Sequence, residues 1–149
     1  MAEEKKNARR AARETVFALL YETEFHGEEN AEAIYALAVE NREIDPENAY
    51  IRDVYFGVMA NREAVDALIG RHAKGWKTNR LSRVSRAVLR LGAYELAFVE
   101  GVPAPVAINE AVELSKKFDD PKARAFINGV LNAVKNELAE GGVKNEENE

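Results

Sequence analysis

The chain has 149 residues, a net charge of −5 and no cysteine, which excludes disulfides, thiolate metal sites and a cysteine nucleophile. No run approaches the roughly 20 apolar residues of a membrane-spanning helix. The opening MAEEKKNARRAARE has cations but no apolar core of a secretory signal, so the expectation is a cytoplasmic protein of one compact unit or two small ones sharing a core.

The first helix is expected over residues 8–25, where Ala12, Val16, Leu19 and Leu20 recur at helical spacing. Lys5, Lys6, Arg9, Arg10 and Arg13 gather on the arm leading into it and on its first turns, with no acid among them. On a helix Arg10, Arg13, Phe17 and Tyr21 fall near one face. Cations beside aromatics suit single-stranded RNA, the cations meeting phosphates and the rings stacking on unpaired bases. Core aromatics with merely solubilising cations would produce the same pattern, and composition leaves both readings open.

After a GEEN turn, Ile34, Leu37 and Ala38 mark a second helix inside an acidic block running from Glu22 to Glu47. Asp45-Pro46, a capping residue followed by a first-turn proline, predicts a long third helix with Ile51, Val54, Val58, Val65, Leu68 and Ile69 on its inner side. AKGWKTN, residues 73–79, breaks the period. It marks the expected boundary between an N-terminal subdomain, residues 1–75, and a C-terminal one, residues 76–139.

From Ala67 to Tyr94 there is no acid, while Arg71, Lys74, Lys77, Arg80, Arg83, Arg86 and Arg90 supply local positive potential on an acidic protein. The helix expected over residues 82–99 is apolar on most sides, with Val84, Val88, Leu89, Leu91, Ala93 and Leu96, and so should be central. Arg83, Arg86 and Arg90 form a basic stripe on it, either solvated or, for Arg90, held by Glu95 or another buried carboxylate.

Pro105 opens the next helix, which carries Ala107, Ala111, Leu114 and Phe118 and ends on Lys116 and Lys117, where the dipole favours cations. Asp120-Pro121 resets the chain for a last helix with Phe126, Ile127, Val130, Leu131, Val134 and Leu138. Gly129 inside it predicts a close helix–helix approach. Lys122 and Arg124 make its start a phosphate site by type, although Phe126 beside them, taken singly, reads more readily as a core residue. From Glu137 to Glu149 five acids face Lys144 alone, and residues 140–149 are expected to be a disordered acidic tail.

The class is therefore all-α, a helical bundle of about seven helices in two three-helix subbundles packed together. No catalytic residue, metal or cofactor is expected. His26 and His72 have no metal-ligand spacing, Ser82, Ser85 and Ser115 lie in no nucleophile elbow, and no glycine-rich phosphate loop occurs.

Four words stand in order between residues 9 and 135: RRAARETVFALLY, then Trp76 with Arg80-Leu81 and AVLRLGAYEL, then AINEAVEL, then FINGVL. Together they resemble the NusB family of transcription antitermination factors. The resemblance implies the same two-subbundle fold and binding of boxA RNA through an arginine-rich N-terminal region. Arg9, Arg10, Arg13 and Tyr21 match that region, Lys5 and Lys6 precede it, and Ala11 stands where some members carry arginine. It further implies an RNA surface extending to Phe126, with Lys122 and Arg124 near it. The start of the central helix, at Arg83, Ser85 and Arg86, would meet NusE, a small-subunit ribosomal protein. Ser85 departs from the family there, since members commonly carry an acid.

The implied role is non-enzymatic. It consists of binding boxA RNA with NusE in the transcription elongation complex, alongside other Nus factors and without a membrane, in support of ribosomal RNA operons. Two alternatives remain at this level. One is a NusB-like domain detached from an RNA cytosine methyltransferase, since no cofactor-binding glycine motif occurs before Glu149. The other is a helical protein-interaction module without an RNA role.

Overall fold

The computed structural model describes residues 2–77 and 80–141. Among the described residues there are seven α-helices, one 3₁₀ turn (Glu28–Asn30) and no strand. The helices are α1 (Ala2–His26), α2 (Ala31–Glu40), α3 (Ala49–Ala60), α4 (Arg62–Gly70), α5 (Arg83–Phe98), α6 (Ala104–Phe118) and α7 (Ala123–Gly141). They fall into two compact units, Met1–Ala60 and Asn61–Glu149. The division lies at residues 60/61, not at 75/76, and the second unit has four helices rather than three. The expected acidic tail lies, from residue 142 on, outside the described residues; Glu140 and Gly141 belong to α7.

In the first unit α1 packs against α2 and α3. It buries Ala12, Val16, Phe17, Leu19 and Leu20 and stops before Gly27, whose φ of 90° is open to a residue without a Cβ. Thr23 ties α1 to α3. Its hydroxyl donates to the Leu19 carbonyl (2.7 Å), so at 2.6 Å from the Tyr55 hydroxyl it must accept. Burial raises the Tyr55 phenol above its ordinary value, which keeps the donor protonated.

Ile34 and Ala38 of α2 are buried as expected, but Leu37 is exposed. Asp45-Pro46 is a turn before a helix rather than its start. Asp45 Oδ1 accepts from the Glu47 N–H (2.9 Å), and three residues on Asn48 Oδ1 caps α3 through the Ile51 N–H (3.1 Å). Asp120-Pro121 repeats the device, with Asp120 Oδ1 accepting from the Lys122 N–H (2.9 Å) ahead of α7. The long third helix is in fact α3 and α4, interrupted at Asn61. The interruption escaped the apolar period because Val58 and Val65 are seven residues apart, a spacing that stays in phase across the break.

The second unit is built round α5, which contacts α4, α6 and α7. Ala87, Val88, Leu89, Leu91, Ala93, Leu96 and Ala97 are all buried. Ser82 caps it, accepting from the Ser85 N–H at 3.0 Å. Pro103 precedes α6 and Pro105 lies in its first turn, where a missing N–H leaves no gap. Arg71 and His72, just past α4, both bind Glu137 of α7. The Arg71 Nε lies at 3.0 and 3.1 Å from the two carboxylate oxygens and the His72 Nε2 at 2.7 Å.

Close approach occurs at Gly92 and not at Gly129. A Cβ on Gly92 would lie 2.7 Å from Leu131 Cδ1 and 3.4 Å from Ala111 Cβ, whereas Gly129 has nothing within 4 Å and is exposed. The two glycines are therefore expected to respond oppositely to substitution. Gly129→Ala should stabilise by about 0.5–1 kcal/mol through helix propensity alone. Gly92→Val should destabilise by about 1–3 kcal/mol through overpacking against Leu131. Urea midpoints read both, and equal shifts would refute the assignment.

The hydrogen bonds from Arg71 and His72 hold the Glu137 carboxyl down at about 2, against an ordinary 4.5. A depressed carboxyl stabilises the fold fully above its unfolded value and loses that contribution as pH falls through its folded one. The stability difference between the protein and Glu137→Gln should thus be fully present just above pH 4.5 and shrink towards pH 2. Chemical denaturation at a series of pH values measures it; a difference independent of pH would show the bridge to be inert.

Candidate nucleic-acid interface

The N-terminal cations sit on a helix, not on an arm. The backbone is helical from Ala2, so Lys5, Arg9 and Arg13 fall at intervals of four on one stripe of α1. Lys5, Lys6 and Arg9 are exposed, Arg10 is half-buried, and Arg13 is only 5% exposed. Opposite the stripe stands Tyr50, in the first turn of α3. The Arg9 guanidinium lies 4.2 Å from its ring centroid and that of Arg13 6.0 Å, within range of cation–π attraction. Arg13 is accordingly a structural cation rather than an exposed phosphate ligand.

Lys5, Lys6 and Arg9 on one side, and Asn48, Ala49 and Tyr50 on the other, line a cavity of about 610 Å³. Three cations face the positive end of the α3 dipole across it. Acids adjoin both walls in sequence, Glu4 directly before Lys5 and Glu47 directly before Asn48, but neither lines the cavity. Such a concavity suits an anion, and its size matches that of small-ligand pockets generally.

Along the rest of α1 the aromatics form a ladder running out of the core. Phe17 is buried, Tyr21 half-buried and Phe25 51% exposed. Phe17 and Tyr21 are stacked at 6.0 Å, and Tyr21 meets Phe25 edge-on at 5.0 Å. Lys122, Arg124 and Phe126 belong to the second unit, where they bracket the start of α7. Both cations are exposed and the ring is half-buried.

The basic stripe of α5 is not a solvated face. Arg83 is exposed, but the Arg86 guanidinium donates to the Trp76 carbonyl (2.7 Å) and lies 4.2 Å from the Trp76 ring centroid. Arg90 is 4% exposed and lies 5.1 Å from the same ring. Asp66 of α4 receives Arg90, at 2.9 and 3.2 Å. Burial pushes Arg90 down to about 10 and lowers Arg86 as well; both remain cations at neutral pH.

Ser85 is buried and its hydroxyl donates to Asp119 Oδ2, while Ser82 Oγ lies 3.4 Å from Asp119 Oδ1. A carboxylate therefore stands at the first turn of α5 although position 85 carries none. It arrives from the α6–α7 link, 34 residues away in sequence. Among the described residues no group of three or more His, Cys, Asp or Glu side chains could hold a metal ion.

Sequence reasoning missed Tyr50, Asn48 and Asp119. Asn48 had a signal, an N-cap residue just ahead of the apolar run that begins at Ile51. Tyr50 and Asp119 had none, because each matters only through what another element brings to it.

A family model described as NusB family matches residues 7–136 of this chain. The chain belongs to the NusB family. It is 41% identical over 130 residues to the transcription antitermination protein NusB of Bacillus licheniformis, covering 87% of this chain and 98% of that protein. It is 38% identical over 130 residues to the Bacillus subtilis protein of the same name, covering 87% and 96%. Among solved structures, NusB of T. maritima superposes with a TM-score of 0.76 at 35% identity, covering 87% of this chain and 91% of that one. A structure described as antitermination factors NusB and NusE in complex with dsRNA gives a TM-score of 0.76 at 33% identity, covering 87% and 96%. Among the described residues no helix is long and apolar enough to cross a membrane.

Proposed function

We infer that this NusB-family chain is a non-enzymatic transcription antitermination factor of the cytoplasm. It binds boxA-type RNA together with the ribosomal protein NusE and joins the elongation complex with other Nus factors, in support of ribosomal RNA operon transcription. The observation that carries the reading is the cavity in which Lys5, Lys6 and Arg9 face Tyr50 and the start of α3. Cations of this kind supply phosphate neutralisation, the sequence-independent share of affinity. Unpaired bases held against aromatic and polar side chains supply specificity. Arg10 and Tyr21 continue the RNA surface along α1, and Arg13 supports it from below; within the second unit Lys122, Arg124 and Phe126, at the start of α7, are further RNA contacts in this reading.

Replacing Lys5, Lys6 and Arg9 together by Ala should weaken boxA RNA binding and reduce the slope of log affinity against log salt by about 0.7 for each phosphate that is no longer neutralised. The three side chains are exposed and only Arg9 has a ring contact to lose, so stability should fall by no more than about 1 kcal/mol. Electrophoretic shifts across a salt series, with and without NusE, make the measurement; an unchanged slope would refute RNA binding at this cavity.

The NusE surface is the first turn of α5, with Arg83 exposed and Asp119 seated on Ser82 and Ser85. Arg86 is a poor probe of it, because its guanidinium is engaged with Trp76. Arg83→Glu should lower NusE affinity several-fold in titration calorimetry while leaving the RNA affinity of the isolated protein unchanged. Equal loss of both partners would replace two surfaces by one composite site.

A further inference from the structure

Two side chains of the cavity on α1 and α3 are polar without charge, Asn48 and Tyr50, and the orientation of Asn48 is determined. Asn48 Oδ1 accepts the Ile51 N–H at 3.1 Å. Only the oxygen of a carboxamide can accept, so this bond settles which way the amide is turned and leaves Nδ2, a pure donor, as what the residue offers a ligand. Across the cavity, Arg9 is held 4.2 Å from the Tyr50 ring centroid, which presents a flat cation of the kind on which unpaired bases stack. The volume of about 610 Å³ admits a whole nucleotide.

We propose that this cavity receives one unpaired nucleotide of the bound RNA and that Asn48 reads its base, Nδ2 donating to an acceptor on the base edge while Lys5, Lys6 and Arg9 hold the flanking phosphates. The assignment rests on the RNA-binding reading above and adds a base-contacting residue to it. Phosphates have three cations available in the same cavity; a neutral donor beside a stacking surface is the chemistry that a base requires. Asn48 binds without neutralising charge, so its contribution is independent of salt, unlike that of the cations.

Two variants separate this role from helix capping. Serine and aspartate both cap helices as well as asparagine does, so Asn48→Ser and Asn48→Asp should melt like the parent protein. Asn48→Ser should weaken binding of a boxA-type single-stranded RNA by about three- to tenfold, the worth of one neutral hydrogen bond, with the salt slope unchanged. Asn48→Asp should weaken it more at low salt, by placing a carboxylate among the phosphates. A residue that only capped α3 would leave Asn48→Ser at parental affinity.

The base contact itself is tested by replacing the nucleotides of the same RNA one at a time with abasic residues. At one position the difference between the protein and Asn48→Ser should vanish, as a double-mutant cycle requires of interacting groups. If no position removes the difference, Asn48 binds the RNA backbone and the proposal is overturned. If Asn48→Ser binds normally while the triple cation variant shows a reduced salt slope, this inference fails alone. If the cation variant also binds normally, the RNA reading fails with it.

Discussion

The middle of α5 is buried on nearly every side and has no solvent face on which to leave a charge, yet it carries Arg90. Moving a guanidinium out of water costs several kcal/mol unless it is paired with good geometry. Asp66 supplies that pairing from α4, and Trp76 lays its ring against both Arg90 and Arg86. The rest of the second unit follows from this requirement. Helix α4 must run where Asp66 reaches α5, and the link after it must fold back to deliver Trp76. Residues that break the helical period are therefore part of the core, and Ala73 and Trp76 are both buried.

The same unit solves a second problem at the start of α5. Three mechanisms converge there: the Ser82 cap, the buried Ser85 hydroxyl and the Asp119 carboxylate that both hydroxyls approach. A negative charge at a helix N-terminus is favoured by the helix dipole. A carboxylate carried on another element can satisfy that preference as well as one on the helix itself, so Ser85 is no electrostatic loss. The packing partner of α5 on its other side is set by Gly92, whose missing side chain is where Leu131 of α7 comes in.

In the first unit, one stripe of one helix changes its surroundings along its length. Lys5 lies in solvent, Arg9 is exposed but held at the Tyr50 ring, and Arg13 is buried. Cations of identical formal charge thus grade from solvated to buried within about two helical turns. Tyr50 is the hinge of that gradation, because its ring attracts both arginines and forms a wall of the cavity.

The sequence alone determined what is local. Helical period, capping residues and prolines announced the all-α class, the central burial of α5 and the start of α6. The order of four words pointed to the NusB family. Those features depend on residues within a few turns of each other, which linear spacing can encode. Tertiary structure decided everything that needs two elements at once. The break at Asn61 was invisible because the apolar phase survives it. Gly129 and Gly92 look alike in sequence, and only the arrival of Leu131 separates them. The arginines of α1 and α5 read as uniform basic stripes until Tyr50, Trp76 and Asp66 assign some to the interior. A side chain's charge and size are written in the sequence; its burial and its partner come from the element packed against it.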